Sequence, residues 1–509
     1  MNRDFVLYAV TALLVFLGWR LSRARRRRYP PGPPPALLTG NLQDIPRGGH
    51  EWEAYTALGK NYGKCDVVHF NVFGSHVVVL NSYEATRDLL DARGSIYSSR
   101  PRLVMLKEVK RWDWNLVIMS YDKRYQTYRR IVQQEFQPSV VARSHHSLMA
   151  LEIANFLGRL LTSQQDLPKH VRRLAGAIIM RITYGHKVVS ADDPFVSLAE
   201  AVRETNEKTP GNAVVDLLPF LKHLPAWFPG GGFQRQAAYV RELSRKMRSV
   251  PFEAVKAQMA SGKAESSMAT RLIESEDIPS EMDRDQLAMD CTGVVYSAGA
   301  DTTVATLLNF VHAMTLYPEV QARAQQEIDA VIGRDRLPTF EDRKRLPYLS
   351  NVVKEAFRWK PSVMLCVPHT TISDDEYRGM YIPKGASVIA NIWAMLHDEN
   401  VYKSPYEFDP DRFTPSSDHP EGEPDPAKIA FGYGRRICPG RYFADDSVFL
   451  TITSMLQLFR ISLPEGVKKE DVKVTWSSGL VSLPSAYPYT LTPRFEGVRE
   501  LIATSSEVA

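Results

Sequence analysis

Apolar residues recur along this chain with several different rhythms. Phe5 to Trp19 reads FVLYAVTALLVFLGW, an uncharged run. As a helix it would extend roughly 22 Å, and Arg20 and Leu21 lengthen it toward the roughly 30 Å of a bilayer core, the arginine reaching back to the interface. Val67–Val72 and His76–Leu80 are two β-branched runs broken at Phe73-Gly74-Ser75, which predicts a hairpin. Asn81, followed by Glu84, predicts a helix start. Beyond about residue 120 the period becomes helical, with prolines as stops. Smaller β regions are expected near 363–390 and 474–492. No repeat or low-complexity linker follows about residue 40. The pattern is that of an α+β protein, predominantly α-helical, with one large domain.

One predicted helix, from about Asp285 to Leu316, has no proline until Pro318. It would span about 48 Å, the width of a domain. Its centre reads Ala298-Gly299-Ala300-Asp301-Thr302-Thr303. Glycine there costs about 1 kcal/mol relative to alanine, and Asp and Thr are weak helix formers. Taken alone, this fits either a close helix crossing at Gly299 or a chemical site. A second helical segment, Leu349 to Trp359, carries Glu355 and Arg358 on one face.

Composition narrows the classes. At 44% hydrophobic and 24% charged the 509 residues describe a folded protein, not a disordered one. Cys65, Cys291, Cys366 and Cys438 are widely separated, with no zinc-type spacing and no disulfide framework, which fits a reducing compartment. Net charge is +5, but residues 1–28 hold +6 of it, mostly in the cluster Arg20–Arg28. The remainder is nearly neutral and gives no reason to expect nucleic acid. Six of the seven arginines in residues 1–28 follow the apolar run, and Arg3 before it is offset by Asp4; this order describes an anchor, not a cleaved signal, and places the chain beyond Arg20 on the cytosolic side. Prolines crowd residues 30–35 and favour a stiff polyproline II spacer. The expected organisation is therefore a membrane anchor (1–28), a proline-rich hinge (29–40) and a folded body (41–509).

Phe431-Gly432-Tyr433-Gly434-Arg435-Arg436-Ile437-Cys438-Pro439-Gly440 sets a cysteine in a stiff, basic turn. Together with Glu355-x-x-Arg358, Arg412 inside Phe408-Asp409-Pro410-Asp411-Arg412-Phe413, and Asp301-Thr302, this series resembles the cytochrome P450 family. The likeness is to its membrane-anchored microsomal members and covers essentially the whole chain, which makes the body (41–509) the catalytic domain. Phe431, Gly434, Arg436, Cys438 and Gly440 match the haem-thiolate signature at every defined position. Ala298 to Thr303 resembles the oxygen-activation motif. Glu355, Arg358 and Arg412 resemble the buried ion triad.

The resemblance implies a haem b whose iron takes the Cys438 thiolate, a donor that favours O–O cleavage. It implies Arg436, His369 and Arg129 as propionate partners. Tyr125 stands where relatives carry tryptophan. Phe431 would shield the sulfur, Gly299 would leave room for oxygen, and Asp301 and Thr302 would relay protons. The implied cavity walls are Leu103, Met105, Trp112, Trp114, Leu116, Met119, Val294, Val295, Ala298, Val363, Met364, Leu365, Leu480 and Val481, apolar enough for a lipophilic substrate.

Only 69 residues follow Gly440. Electrons from NADPH would therefore arrive through a separate NADPH-cytochrome P450 reductase, with cytochrome b5 a second donor. Arg130, Arg435 and Arg441 would be docking charges or simply solvated. The implied setting is the endoplasmic reticulum membrane. Arg93 to Pro101 and Asp216 to Gly230 are similar to fungal, particularly basidiomycete, members of secondary metabolism, of the O-methylsterigmatocystin oxidoreductase-like type. The implied activity is monooxygenation, using O2, of a terpenoid, polyketide or indole-type metabolite. A reductase-independent isomerase or dehydratase, or a non-catalytic haem or membrane scaffold, are the alternatives on the same fold.

Overall fold

The two β-branched runs pair as expected. In the computed structural model, strands β1 (Val67–Val72) and β2 (Ser75–Leu80) form an antiparallel hairpin. Its turn holds Phe73 and Gly74 at positive φ, which suits glycine. The structure describes residues 27–62, 66–190, 192–207, 212–417 and 419–508. The apolar run Phe5–Trp19 and Cys65 lie outside them. Among the described residues no helix is long and apolar enough to cross a membrane.

The predicted β region near 363–390 supplies β3 (His369–Thr370), β4 (Asp375–Tyr377), β5 (Met380–Ile382) and β6 (Ser387–Ala390). The main sheet runs β1-β2-β6-β3, with β2 parallel to β6, and β4 pairs with β5. Near the C-terminus, β7 (Phe459–Ser462) pairs with β8 (Thr490–Pro493), so this region holds less strand than expected. The helix start expected at Asn81 falls one residue later, where Ser82 accepts from the Ala85 N–H. Asn81 instead donates to the Tyr55 carbonyl and is used in tertiary packing.

Helices make up most of the rest. Those that position the site are α1 (Glu51–Asn61), α2 (Lys123–Glu135), α3 (His146–Thr162), α4 (Leu167–Tyr184) and α5 (Pro194–Glu207). They are followed by α6 (Phe233–Ala260), α7 (Arg284–Leu316), α8 (Pro318–Val331), α9 (Pro347–Trp359), α10 (Arg441–Leu458) and α11 (Val498–Val508). The long helix is α7. Asp283 caps it by accepting from the Gln286 N–H, and Pro318 opens the next helix.

The proline-rich stretch lies along the body. The His69 N–H donates to the Pro31 carbonyl, and Tyr29 stacks on His69 and His76. A Cβ at Gly32 would fall 2.0 Å from the His69 carbonyl oxygen, so only glycine allows this approach.

Candidate functional site

Helix α7 is buried along most of its length, but the turn from Ser297 to Thr302 is not, and Ala298 is exposed. A space therefore opens beside this turn, between stretches of the helix that are buried on either side (290–296 and 303–315). The Thr302 hydroxyl donates to the Ala298 carbonyl at 3.3 Å. Asp301 meets Arg172 of α4 at 3.5 Å and Arg203 of α5 at 3.7 Å.

Gly299 does not face that space. A Cβ there would lie 2.5 Å from Ile179 Cδ1 of α4. The glycine serves the close crossing of α4 and α7, and its expected role of leaving room for oxygen is withdrawn.

The cysteine loop is fixed by its backbone. The Cys438 N–H donates to the Phe431 carbonyl at 2.8 Å, and the Gly440 N–H donates to the Cys438 sulfur. Gly434 has φ +53°, and a Cβ would sit 2.3 Å from the Leu90 carbonyl oxygen, so two independent constraints require glycine. Phe431 packs on Phe357 with ring centroids 5.2 Å apart. Burial pushes the Cys438 thiol pKa up, while the Gly440 N–H and the charges of Arg129 and Arg441 pull it down. The thiolate therefore needs a further positive partner, the role a metal ion fills.

Beside the cysteine loop is a set of enclosed cations. Arg436 donates to the carbonyls of Ser98, Leu116 and Met119, and its guanidinium lies 3.6 Å from the Tyr125 ring centroid. Arg100 donates to the carbonyls of Val117, Val367 and Pro368. Both arginines are buried, and among the described residues neither has a carboxylate partner. Burial lowers the Arg436 pKa to about 10 and also lowers that of Arg100. Lys107, held down to about 8 by burial and by the charges of Arg436 and Arg100, belongs to the same field, though Asp122 and Asp113 act on it the other way. Buried His369 has an enclosed Nε2 without a partner, and burial and then Arg100 push its pKa well down.

Two arginines enclosed without a counter-anion are expensive. A dianionic group among them would remove the penalty. The residues thus fit a haem: Cys438 would supply the thiolate, and Arg100, Arg436, Lys107, His369 and half-buried Arg129 would face the propionates. Tyr125 is used differently, since its hydroxyl donates to the Arg435 carbonyl at 2.9 Å. Arg100 and Lys107 were not singled out from sequence. Arg100 stands in Ser98-Ser99-Arg100-Pro101, and its only signal was a cation with no acid nearby along the chain.

The ion triad forms and is larger than the motif. Glu355 and Arg358 pair through two 2.7 Å bonds, both fully enclosed. Arg412 donates to Glu355 at 3.2 Å and to Glu423 at 2.8 Å, and Glu423 was not foreseen. Arg358 also donates to the carbonyls of Leu396, Pro405 and Glu407, which ties α9 to the chain ahead of the cysteine loop.

The expected cavity residues scatter. Met105 packs with Val104, Val109, Val215 and Ala237, and Met364 packs with Trp52 and Trp393, as core residues do. Trp114 lies against Arg248, and Val295 is buried on α7. Trp112 packs partly buried beside Trp114. Leu103 takes a left-handed conformation before a short helical turn. Val363 and Val481 are half-buried and Leu480 is exposed.

Comparison with known proteins agrees with this site. The Cytochrome P450 family model matches residues 30–491. The chain is 39% identical to Cytochrome P450 monooxygenase 208 of Postia placenta, covering 97% of this chain and 96% of that one. It is 37% identical to Cytochrome P450 monooxygenase COX2 of Coprinopsis cinerea, over 99% and 96%. It is 38% identical to Cytochrome P450 monooxygenase claR of Ampulloclitocybe clavipes, over 94% and 89%. The chain belongs to the cytochrome P450 family and is an oxidoreductase of the monooxygenase type.

Proposed function

We propose that this P450 inserts one oxygen atom of O2 into a small lipophilic metabolite, with electrons delivered from NADPH by a separate membrane-bound reductase. The observation that carries the reading is the pairing of a backbone-held cysteine with carboxylate-free buried arginines. The haem, when bound, supplies oxygen activation at an iron carrying a thiolate donor. The chain's residues do the rest. The Gly440 N–H stabilises the thiolate form of Cys438. Arg100, Arg436 and His369 would hold the haem propionates. The Thr302 hydroxyl holds a proton beside the open turn of α7, and Asp301, between Arg172 and Arg203, brings protons to it.

Residues 1–28 anchor the body (41–509) to the endoplasmic reticulum membrane from the cytosolic side, with 29–40 as the connection. Arg435 and Arg441 beside the cysteine loop offer charge to an acidic reductase surface or to cytochrome b5. A role in fungal secondary metabolism is part of this reading, supported by no more than the likeness of the chain to fungal cytochrome P450 monooxygenases. Reconstitution with reductase tests the reading. Product formation from a panel of terpenoid, polyketide and indole substrates should require both NADPH and reductase. Turnover without either would favour an isomerase.

A further inference from the structure

Away from the haem site, a groove of about 590 Å³ lies between α3, α4, the following loop and α11. Arg159 of α3, Arg173 and Arg181 of α4, and Lys187 line it, with Asn155 between and Ile502 of α11 at one side. The acid in its lining is Glu152, which accepts from Arg181 at 3.4 Å. Lys187 is paired outward with Glu265 at 3.3 Å. Arg173 donates to the carbonyls of Val188 and Val189.

Among the described residues, four further donors are unmatched. Arg159 Nε and Nη2, Arg173 Nε and Arg181 Nε are all enclosed without a hydrogen-bond partner. Burial and then the nearby charge of Arg173 lower the Arg159 pKa to about 10 against the opposing charge of Glu152, and burial, with the same two arginines, depresses His170 against the Ser163 carbonyl and Asp166. Like charges brought together in a partly enclosed groove destabilise the fold unless an anion joins them. Guanidinium forks match the oxygens of phosphate and carboxylate groups in pairs.

We propose that this groove is a binding site for an oxyanion of the phosphate class, held by Arg159, Arg173 and Arg181. Free phosphate esters and the headgroup of an anionic phospholipid carry the same chemistry. The site stands apart from the catalytic one. On α4, Arg172 and Ile179 point toward Asp301 and Gly299 of α7, whereas Arg173 and Arg181 turn to the groove.

The test uses the full-length, haem-loaded protein in phosphatidylcholine nanodiscs. Its melting temperature is followed with added inorganic phosphate or pyrophosphate at constant ionic strength, and separately in discs containing phosphatidic acid. A ligand that binds the folded state raises the melting temperature in a saturable way. The expected result is such a rise with the soluble anions, with the anionic lipid, or with both, and the responding arm identifies the source. In Arg159→Met/Arg173→Met the half-saturating concentration should rise by about tenfold or more, the loss of at least one charge-assisted contact. The haem-thiolate spectrum should be unchanged. If the double variant loses haem, Arg173→Met alone is read instead. No saturable rise in either arm, or the same rise in wild type and variant, overturns the proposal.

Discussion

At the scale of single residues, the site depends on charge placed where water cannot reach. Among the described residues, the buried cation Arg100 is served by backbone carbonyls, and Arg436 by backbone carbonyls and the rings of Tyr121 and Tyr125. Replacing Arg100 by leucine should lower haem retention by an order of magnitude or more, the scale of one lost charge-assisted contact, read as haem content after gel filtration. Unchanged retention would show that Arg100 is only a brace for the Val367-Pro368 turn. Thr302 lies at the open turn of α7, and its hydroxyl is engaged with its own helix. Thr302→Ala should consume NADPH while releasing peroxide in place of product; peroxide yield against NADPH consumed checks this.

Cys438, Glu355, Arg358 and Arg412 were legible in the sequence because each sits in a short motif whose spacing survives on the chain. Arg100, Lys107 and Glu423 were not. Their partners are brought near only by folding, as when Arg412 meets Glu423 beside a carboxylate that arrives from α9.

At the scale of elements, the central question about α7 was whether its interrupted middle serves packing or chemistry. One face serves packing, and the other borders the space where the proposed chemistry would take place. Gly299 receives Ile179 of α4, while Ala298 and Thr302 border the space. Gly299→Ala should therefore destabilise the protein by about 1–3 kcal/mol through overpacking. Ile179→Ala in the same chain should restore much of that loss, as measured by thermal unfolding. If Gly299→Ala instead left stability intact and only slowed turnover, the crossing would not be the reason for the glycine. Helical elements and the first hairpin were legible from periodicity alone. The helix cap was misplaced by one residue because both Asn81 and Ser82 can cap, and Asn81 is taken by Tyr55. The cavity wall was least legible, since Met105 and Met364 look the same in sequence whether they face a substrate or a core.

At the scale of the whole molecule, charge and hydropathy are segregated. The strongly basic and apolar segment is confined to the first 28 residues, and the rest of the chain is almost neutral. The proline-rich segment is seated on the sheet through Tyr29, His69 and His76; in the proposed anchored arrangement this contact would fix the attitude of the body to the bilayer. Removing residues 1–28 should shift the protein from the membrane pellet to the supernatant, at least in part, on high-speed centrifugation. Complete retention in the pellet would mean that other surfaces bind lipid as well.

The proposed activity depends on one bond, from Cys438 to a haem iron. The reduced carbon-monoxide difference spectrum tests it most directly. Wild-type protein loaded with haem should show the long-wavelength Soret band that marks a thiolate ligand, and Cys438→His should bind haem without that band. A wild-type spectrum lacking the band, or a Cys438→His variant that keeps it, would contradict the assignment of Cys438 as the axial ligand.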